Sequence, residues 1–194
     1  MAKKTKLVLV SGLQPSGHYT QNLASGLAKL RCLDLVLYSD KNKENLKIKN
    51  KGKIKLVWSK NIFYVFQIIW ELLKDKPDIV HFQHEINMFG GLVSAFVFPV
   101  VVVLTKILGF KVLVTIHATV SPKQINSDFV ESFNKNPKII KPFILKLFFF
   151  YLYYSLCNFS DAIIVHTRTA RDVLLQYNQN SKNKIFVIPT AIPN

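Results

Sequence analysis

The 194-residue chain is 49% hydrophobic and sets 26 Lys and Arg against 11 Asp and Glu, a formal net charge of +15. That length and apolarity suit one domain with an ample packed core, which excludes a wholly disordered protein. The charge predicts attraction to something anionic, such as nucleic acid, an acidic membrane surface or a phosphorylated substrate, although a Lys-, Asn-, Ile- and Phe-rich composition can equally arise from biased nucleotide usage.

In chain order, short apolar runs alternate with helix-length segments, the pattern of a doubly wound, mostly parallel α/β sheet. The first run, 6–11, follows a basic start but is far too short for a secretory h-region, and it leads straight into a glycine turn. Further strands are predicted at 33–38, 54–58, 79–82, 111–117, 162–166 and 184–188. Helices are predicted at 18–31, 62–74, 89–108, 138–158 and 169–177, with Gly109 as a C-terminal cap before the fifth strand. Cys32 and Cys157 are too few and too far apart for a disulfide framework or a zinc site. Both fall in apolar helical patterns, so they are expected to be core thiols in a reducing compartment, which favours the cytoplasm.

Three tracts need separate reading. Residues 41–60 hold eight lysines and one glutamate, which predicts a solvated loop leading into a short strand, a polyanion contact being the sharper alternative. Residues 91–110 are nearly long enough to cross a bilayer, but Pro99 and the Thr105-Lys106 pair favour a buried or membrane-resting helix between two strands. PFILKLFFFYLYYSLCNF packs many aromatics beside Lys141 and Lys146, and suits a helix against a membrane interface as well as a core helix.

Ligands of open α/β sheets collect beyond the carboxyl ends of the strands, and this is where the chemistry-bearing residues gather. KVLVTIHATV stops at His117, and IVHFQHEINMFGG ends in His84 and Glu85 before Gly90-Gly91. His81 and His84 stand three apart and so face opposite sides, which argues against paired metal ligation and makes His81 a core residue. His84 and Glu85 suit either hydrogen bonds to a hydroxylated or phosphorylated ligand or a cap for the helix that follows. The first turn, SGLQPSGHYT, presents Gly12, Ser16 and Gly17 at a helix N-terminus, where a phosphate can be held, though a plain tight turn explains the glycines too. It matches neither GxGxxG nor the P-loop. No serine elbow or cysteine–histidine arrangement supports a hydrolase. With only Arg31, Arg168 and Arg171, nucleic-acid binding is not expected.

Four segments in this order and spacing, SGLQPSGHYTQNLA, VHFQHEINMFGG, VTIHATV and DAIIVHTRTARDVL followed by KIFVIPTAIPN, resemble the N-terminal, acceptor-side domain of family-four glycosyltransferases of the GT-B fold, with HFQHE…FGG then TIHAT similar to the mannosyltransferase-like branch. The resemblance implies transfer of a sugar, with retention at the anomeric carbon, from a nucleotide-sugar donor to a glycan or lipid-linked acceptor. The cleft lies between two Rossmann-like domains, and neither a metal nor another cofactor is implied. It makes His117 the catalytic histidine, Gly12, Ser16 and Gly17 the donor-diphosphate loop, and His84, Glu85, His18 and Tyr19 the acceptor side. The expected layout is a Rossmann-like domain over 1–188 and the start of an interdomain linker over 189–194. The donor-binding domain has no counterpart here. Three readings follow: a chain cut short, a half working with a separate C-terminal-domain partner, or a non-catalytic basic module at an anionic membrane. The placement expected is cytoplasmic, peripheral at the inner face of the cell membrane.

Overall fold

Seven strands, all parallel, form one sheet in the order β3-β2-β1-β4-β5-β6-β7: β1 (Thr5–Val10), β2 (Leu33–Asp40), β3 (Lys53–Trp58), β4 (Ile79–His84), β5 (Lys111–Ile116), β6 (Ala162–Val165) and β7 (Ile185–Val187). The helices are α1 (Gly17–Leu27), α2 (Tyr64–Asp75), α3 (Leu92–Ile107), α4 (Ser127–Phe133), α5 (Pro142–Phe159) and α6 (Arg168–Tyr177). The structure, a computed structural model, describes residues 3–12, 17–41, 52–86, 88–133 and 141–190.

The handedness of parallel crossovers decides which face each helix covers. From β1 the chain steps one way to β2. From β3 it jumps back past β1 to β4 and then steps on to β5, β6 and β7. Right-handed connections therefore put α1 on one face and α2, α3, α5 and α6 on the other. The packing follows. Val8, Val10, Phe82, Val114 and Ile163 meet Ile68, Phe98, Phe149 and Leu174 in the larger core, while Leu7, Leu9, Leu35 and Leu37 meet Ala24 in a smaller one. Each Val, Leu or Phe side chain fully withdrawn from water contributes about 1.5–3 kcal/mol, so the multi-helix face supplies most of the stability.

Local signals place the helix ends. Asn61 Oδ1 accepts from Phe63 N–H at 3.0 Å ahead of α2. Lys76, in the left-handed region at φ 46°, closes α2 through its N–H to Leu72 O, and Pro77 prevents continuation. Gly109, at φ 87°, ends α3 as expected. Thr167 Oγ1 accepts from Ala170 N–H at 3.1 Å and starts α6.

All seven strands and five predicted helices occur where the sequence pattern puts them, with corrected edges. β4 runs on through His84, because His84 O still accepts from His117 N–H at 3.1 Å in the ladder. α3 starts at Leu92 rather than 89, because Gly90 takes φ 135° and Gly91 is the cap. α4 lies in a stretch for which the sequence pattern predicts neither a helix nor a strand. Cys157 is buried in α5, but Cys32 is exposed, since α1 stops at Leu27 and leaves it in the turn before β2. Half of the lysine tract, 42–51, and the chain's last four residues lie outside the described residues.

Candidate active site

The carboxyl ends of β4, β5 and β6 carry a continuous polar chain on the face shared with α1. Gln83 pairs in register with Thr115, so their side chains stand side by side, with His81 two residues earlier on the same face. Thr115 Oγ1 lies 2.8 Å from His81 Nε2 and Gln83 Nε2 lies 3.0 Å from it. Beyond Gln83, its Oε1 is 2.8 Å from His117 Nε2, His117 Nδ1 is 3.3 Å from His166 Nε2, and His166 Nδ1 is 2.9 Å from Ile188 O. His81 and Thr115 are buried, whereas His117 and His166 are half-buried.

Donor and acceptor logic constrains this chain. With the Gln83 amide oxygen turned to it, His117 Nε2 carries a hydrogen, and its Nδ1 is left to accept from His166 Nε2. The outer nitrogen of His166 also faces an oxygen. Satisfying all three contacts takes three hydrogens on two rings, one positive charge for the pair. With two hydrogens one contact lapses, and the inner one is the longest. Burial, reinforced by His166, pushes His117 down to about 4, so it is a neutral imidazole near pH 7. Burial pushes His81 down to about 3.

The first helix, α1, meets this chain through Tyr19, whose ring stands edge-on to His117 at 4.8 Å between centroids and lies 5.8 Å from His166. Ser11 follows β1, and its hydroxyl lies 2.7 Å from Thr20 Oγ1 of α1. Gly12 lies against the loop after β4: a Cβ there would sit 2.7 Å from Met88 Cγ and 2.8 Å from Met88 O. Only glycine fits without moving that loop. Residues 13–16, including Ser16, lie outside the described residues. Gly17 and His18 open α1, but nothing is described of the His18 side chain. On the far side of His117, Tyr153 OH donates to Ala118 O at 3.3 Å and lies 3.2 Å from Val120 N, and Tyr177 OH donates to Val120 O at 2.7 Å. Two core tyrosines thus pin the segment after the histidine.

His84 is separated from this group. Its ring points to the opposite face, is 1% exposed, and packs 4.5 Å from the Phe98 ring of α3. Neither of its nitrogens has a hydrogen-bond partner among the described residues, and burial pushes it down to about 3. Glu85 is half-buried in the turn whose carbonyl accepts from Met88 N–H at 3.0 Å. Two hollows of about 350 and 390 Å³ lie at the other, amino-terminal end of the strands, one lined by Lys3, Lys4, Asp78 and Lys111 and the other by Lys29, Arg31 and Asp34. Being at the wrong end of the sheet, neither borders His117.

A family model described as Glycosyltransferase Family 4 matches residues 16–193. This chain belongs to Glycosyltransferase Family 4. No curated protein matches it. Among solved structures it is similar to UDP-N-acetylglucosamine 2-epimerase (TM-score 0.59, 19% identity, 95% of this chain and 48% of that one). It is also similar to Anabaena HepE in complex with UDP and glucose (0.59, 9%, 97% and 45%). A third likeness is to Phytolacca americana UGT2 complexed with UDP-2fluoro-glucose and pterostilbene (0.57, 7%, 100% and 55%). These likenesses show the Rossmann-like fold of GT-B proteins, and the chain spans about half the length of each.

Within this Family 4 domain, the sequence singled out His117 and Tyr19 and the structure brings them together. It overlooked Gln83 and His166. A signal for His166 was available, because DAIIVHTR ends an apolar run at a histidine just as KVLVTIH does. Gln83 offered none on its own, since its importance follows from strand register.

Proposed function

We propose that this domain is the acceptor-side half of a retaining glycosyltransferase that moves a sugar from a nucleotide-sugar to a lipid-linked or polysaccharide acceptor at the cytoplasmic face of a membrane. The reading rests on family membership together with one observation: a half-buried imidazole at the end of β5, held on both ring nitrogens and touched by the helix that follows the β1 turn. In this reading a donor-binding half, in the same polypeptide or a separate one, supplies the other wall of the cleft.

The roles follow from the chemistry of the groups. A neutral His117 offers hydrogen bonding and ring polarity to the sugar hydroxyls and to the charge developing at the anomeric carbon, without adding a full positive charge there. The His166 contact, at 3.3 Å, is the one a sugar hydroxyl displaces at lowest cost, while the shorter Gln83 bond keeps the ring oriented. Gly12 lets the backbone after β1 lie close to the β4 loop, and Gly12, Ser16 and Gly17 are assigned to the donor diphosphate, for which the start of α1 favours an anion. Tyr19 and His18, at the start of α1, are assigned to the acceptor. The sealed position of His84 favours Glu85 over it as an acceptor contact.

The test joins or mixes this chain with the donor-binding half of a Family 4 relative and measures sugar transfer from a panel of nucleotide-sugars. His117→Ala is expected to lower kcat by about a hundredfold or more with far-UV circular dichroism unchanged. Unaltered turnover in that variant removes His117 from the mechanism. Absence of transfer in every two-half combination favours a binding module without chemistry.

A further inference from the structure

Three neighbouring helices on the heavily covered face turn apolar stripes outward instead of the usual polar ones. On α2 Phe66 and Trp70 are 69% and 62% exposed, on α3 Val93 and Ile107 are 67% and 70% exposed, and on α5 Phe143 and Leu147 are 73% and 58% exposed. Their spacings are helical repeats, so each pair lies along one stripe. The helices are also tied together. Tyr64 OH of α2 donates to Ser94 O of α3 at 3.0 Å, and Phe96 of α3 packs 4.2 Å from Phe148 of α5. Soluble monomers rarely leave so much contiguous apolar surface to water without a use for it.

Charge singles out one occupant. Neither α3 nor α5 contains a carboxylate, and α5 carries the exposed Lys146 between Phe143 and Leu147 with Lys141 at its cap. The Lys74 amino group sits 5.0 Å over the Trp70 ring, at the rim of the stripe. The carboxylates of α2, Glu71 and Asp75, are paired with Lys74 and Lys55, and exposed Phe and Leu with Trp and Tyr among them, beside lysines on the carboxylate-free α3 and α5, are what an anionic bilayer surface selects, whereas protein interfaces are depleted of lysine. Crossing the bilayer is a different matter. α5 is an 18-residue helix apolar enough to span, but 44% of it is buried in the fold, and its inner face (Phe148, Phe149, Leu152, Leu156) builds the core.

We infer that the outer face of α2, α3 and α5 is a docking surface for an anionic lipid bilayer, entered by side chains and not spanned by any helix. The inference deepens the membrane contact of the proposed function and is independent of sugar transfer.

The two tryptophans provide the readout, since Trp58 is fully buried and Trp70 is exposed. Vesicles of phosphatidylcholine with phosphatidylglycerol are expected to sediment the full chain, to shift its emission to the blue and to allow quenching by bromine-labelled acyl chains. Pure phosphatidylcholine should bind it about tenfold more weakly. Trp70→Phe should keep sedimentation and lose the quenching. Phe143→Ser with Leu147→Ser should weaken sedimentation about tenfold or more at unchanged circular dichroism. Three results overturn the inference: no sedimentation with either vesicle, equal quenching in Trp70→Phe, or self-association that hides Trp70 in the absence of lipid. Loss of sugar transfer with intact vesicle binding would fault the proposed function and leave this surface standing.

Discussion

The two faces of the sheet are built to opposite ends. Beneath α2, α3, α5 and α6 every strand contributes apolar side chains, and the one histidine admitted there, His84, is sealed against Phe98 with both nitrogens unpartnered among the described residues. On the α1 side cover is thin. Leu113, Ala162 and Ile164 remain half-buried, Phe186 and Ile188 are each 51% exposed, and the histidines of β4, β5 and β6 are linked through Gln83. Two histidines at the ends of neighbouring strands, His84 and His117, therefore differ not in chain position but in the side to which the pleat turns them. One face holds the domain together and the other is free to meet ligand.

That contrast can be broken at four points, in decreasing order of effect. His117→Ala, on the open face, should cost about a hundredfold or more in kcat in the reconstituted two-half assay while thermal stability stays within about 1 kcal/mol. Gly12→Ala should do the reverse of a purely catalytic change: the new methyl meets Met88 Cγ and the Met88 carbonyl, and urea unfolding should show a loss of about 1–3 kcal/mol. Gln83→Met removes the Nε2 partner of His117 without altering size. It should lower kcat/KM about tenfold and move the acid limb of the pH–rate profile further down from its expected position near 4, because the lost amide oxygen favours the imidazolium more than the neutral ring. An unmoved limb would mean that Gln83 has only a packing role.

The smallest change belongs to the sealed face. His84→Leu replaces an unpartnered buried ring with hydrocarbon and should be neutral or stabilising by about 1 kcal/mol at pH 7. Its signature is in the pH dependence. His81, His84 and His117 are all held below their ordinary 6.5, to about 3, 3 and 4, so between those values and 6.5 the unfolded chain binds protons that the folded one refuses. Stability is therefore full above about pH 6.5 and falls as the pH drops toward 3. Denaturant melts across that range should show His84→Leu falling less steeply than the parent.

Much of this architecture was legible because β-branched runs and amphipathic segments alternate so regularly that strand and helix periods seldom compete. His117 was legible for a related reason: a polar residue ending a buried parallel run can only emerge at the carboxyl edge. What escaped depended on pairing between distant segments. That Gln83 meets His117, and that His166 closes the chain, follows from the β4–β5 and β5–β6 registers, and no local pattern encodes those. The sealing of His84 was equally hidden, since its position within the strand rather than after it was decided by one more ladder bond. Cys32 was misjudged because the apolar period of α1 carries on past its last hydrogen-bonded turn.

The tyrosines behind His117 have a further consequence. Tyr153 and Tyr177 fasten residues 118–120 to α5 and α6, so the backbone that carries the imidazole into solvent is already immobilised when a ligand arrives. Association then spends little entropy on freezing that segment. Because one of the two anchors belongs to α5, whatever restrains that helix also restrains the footing of the imidazole.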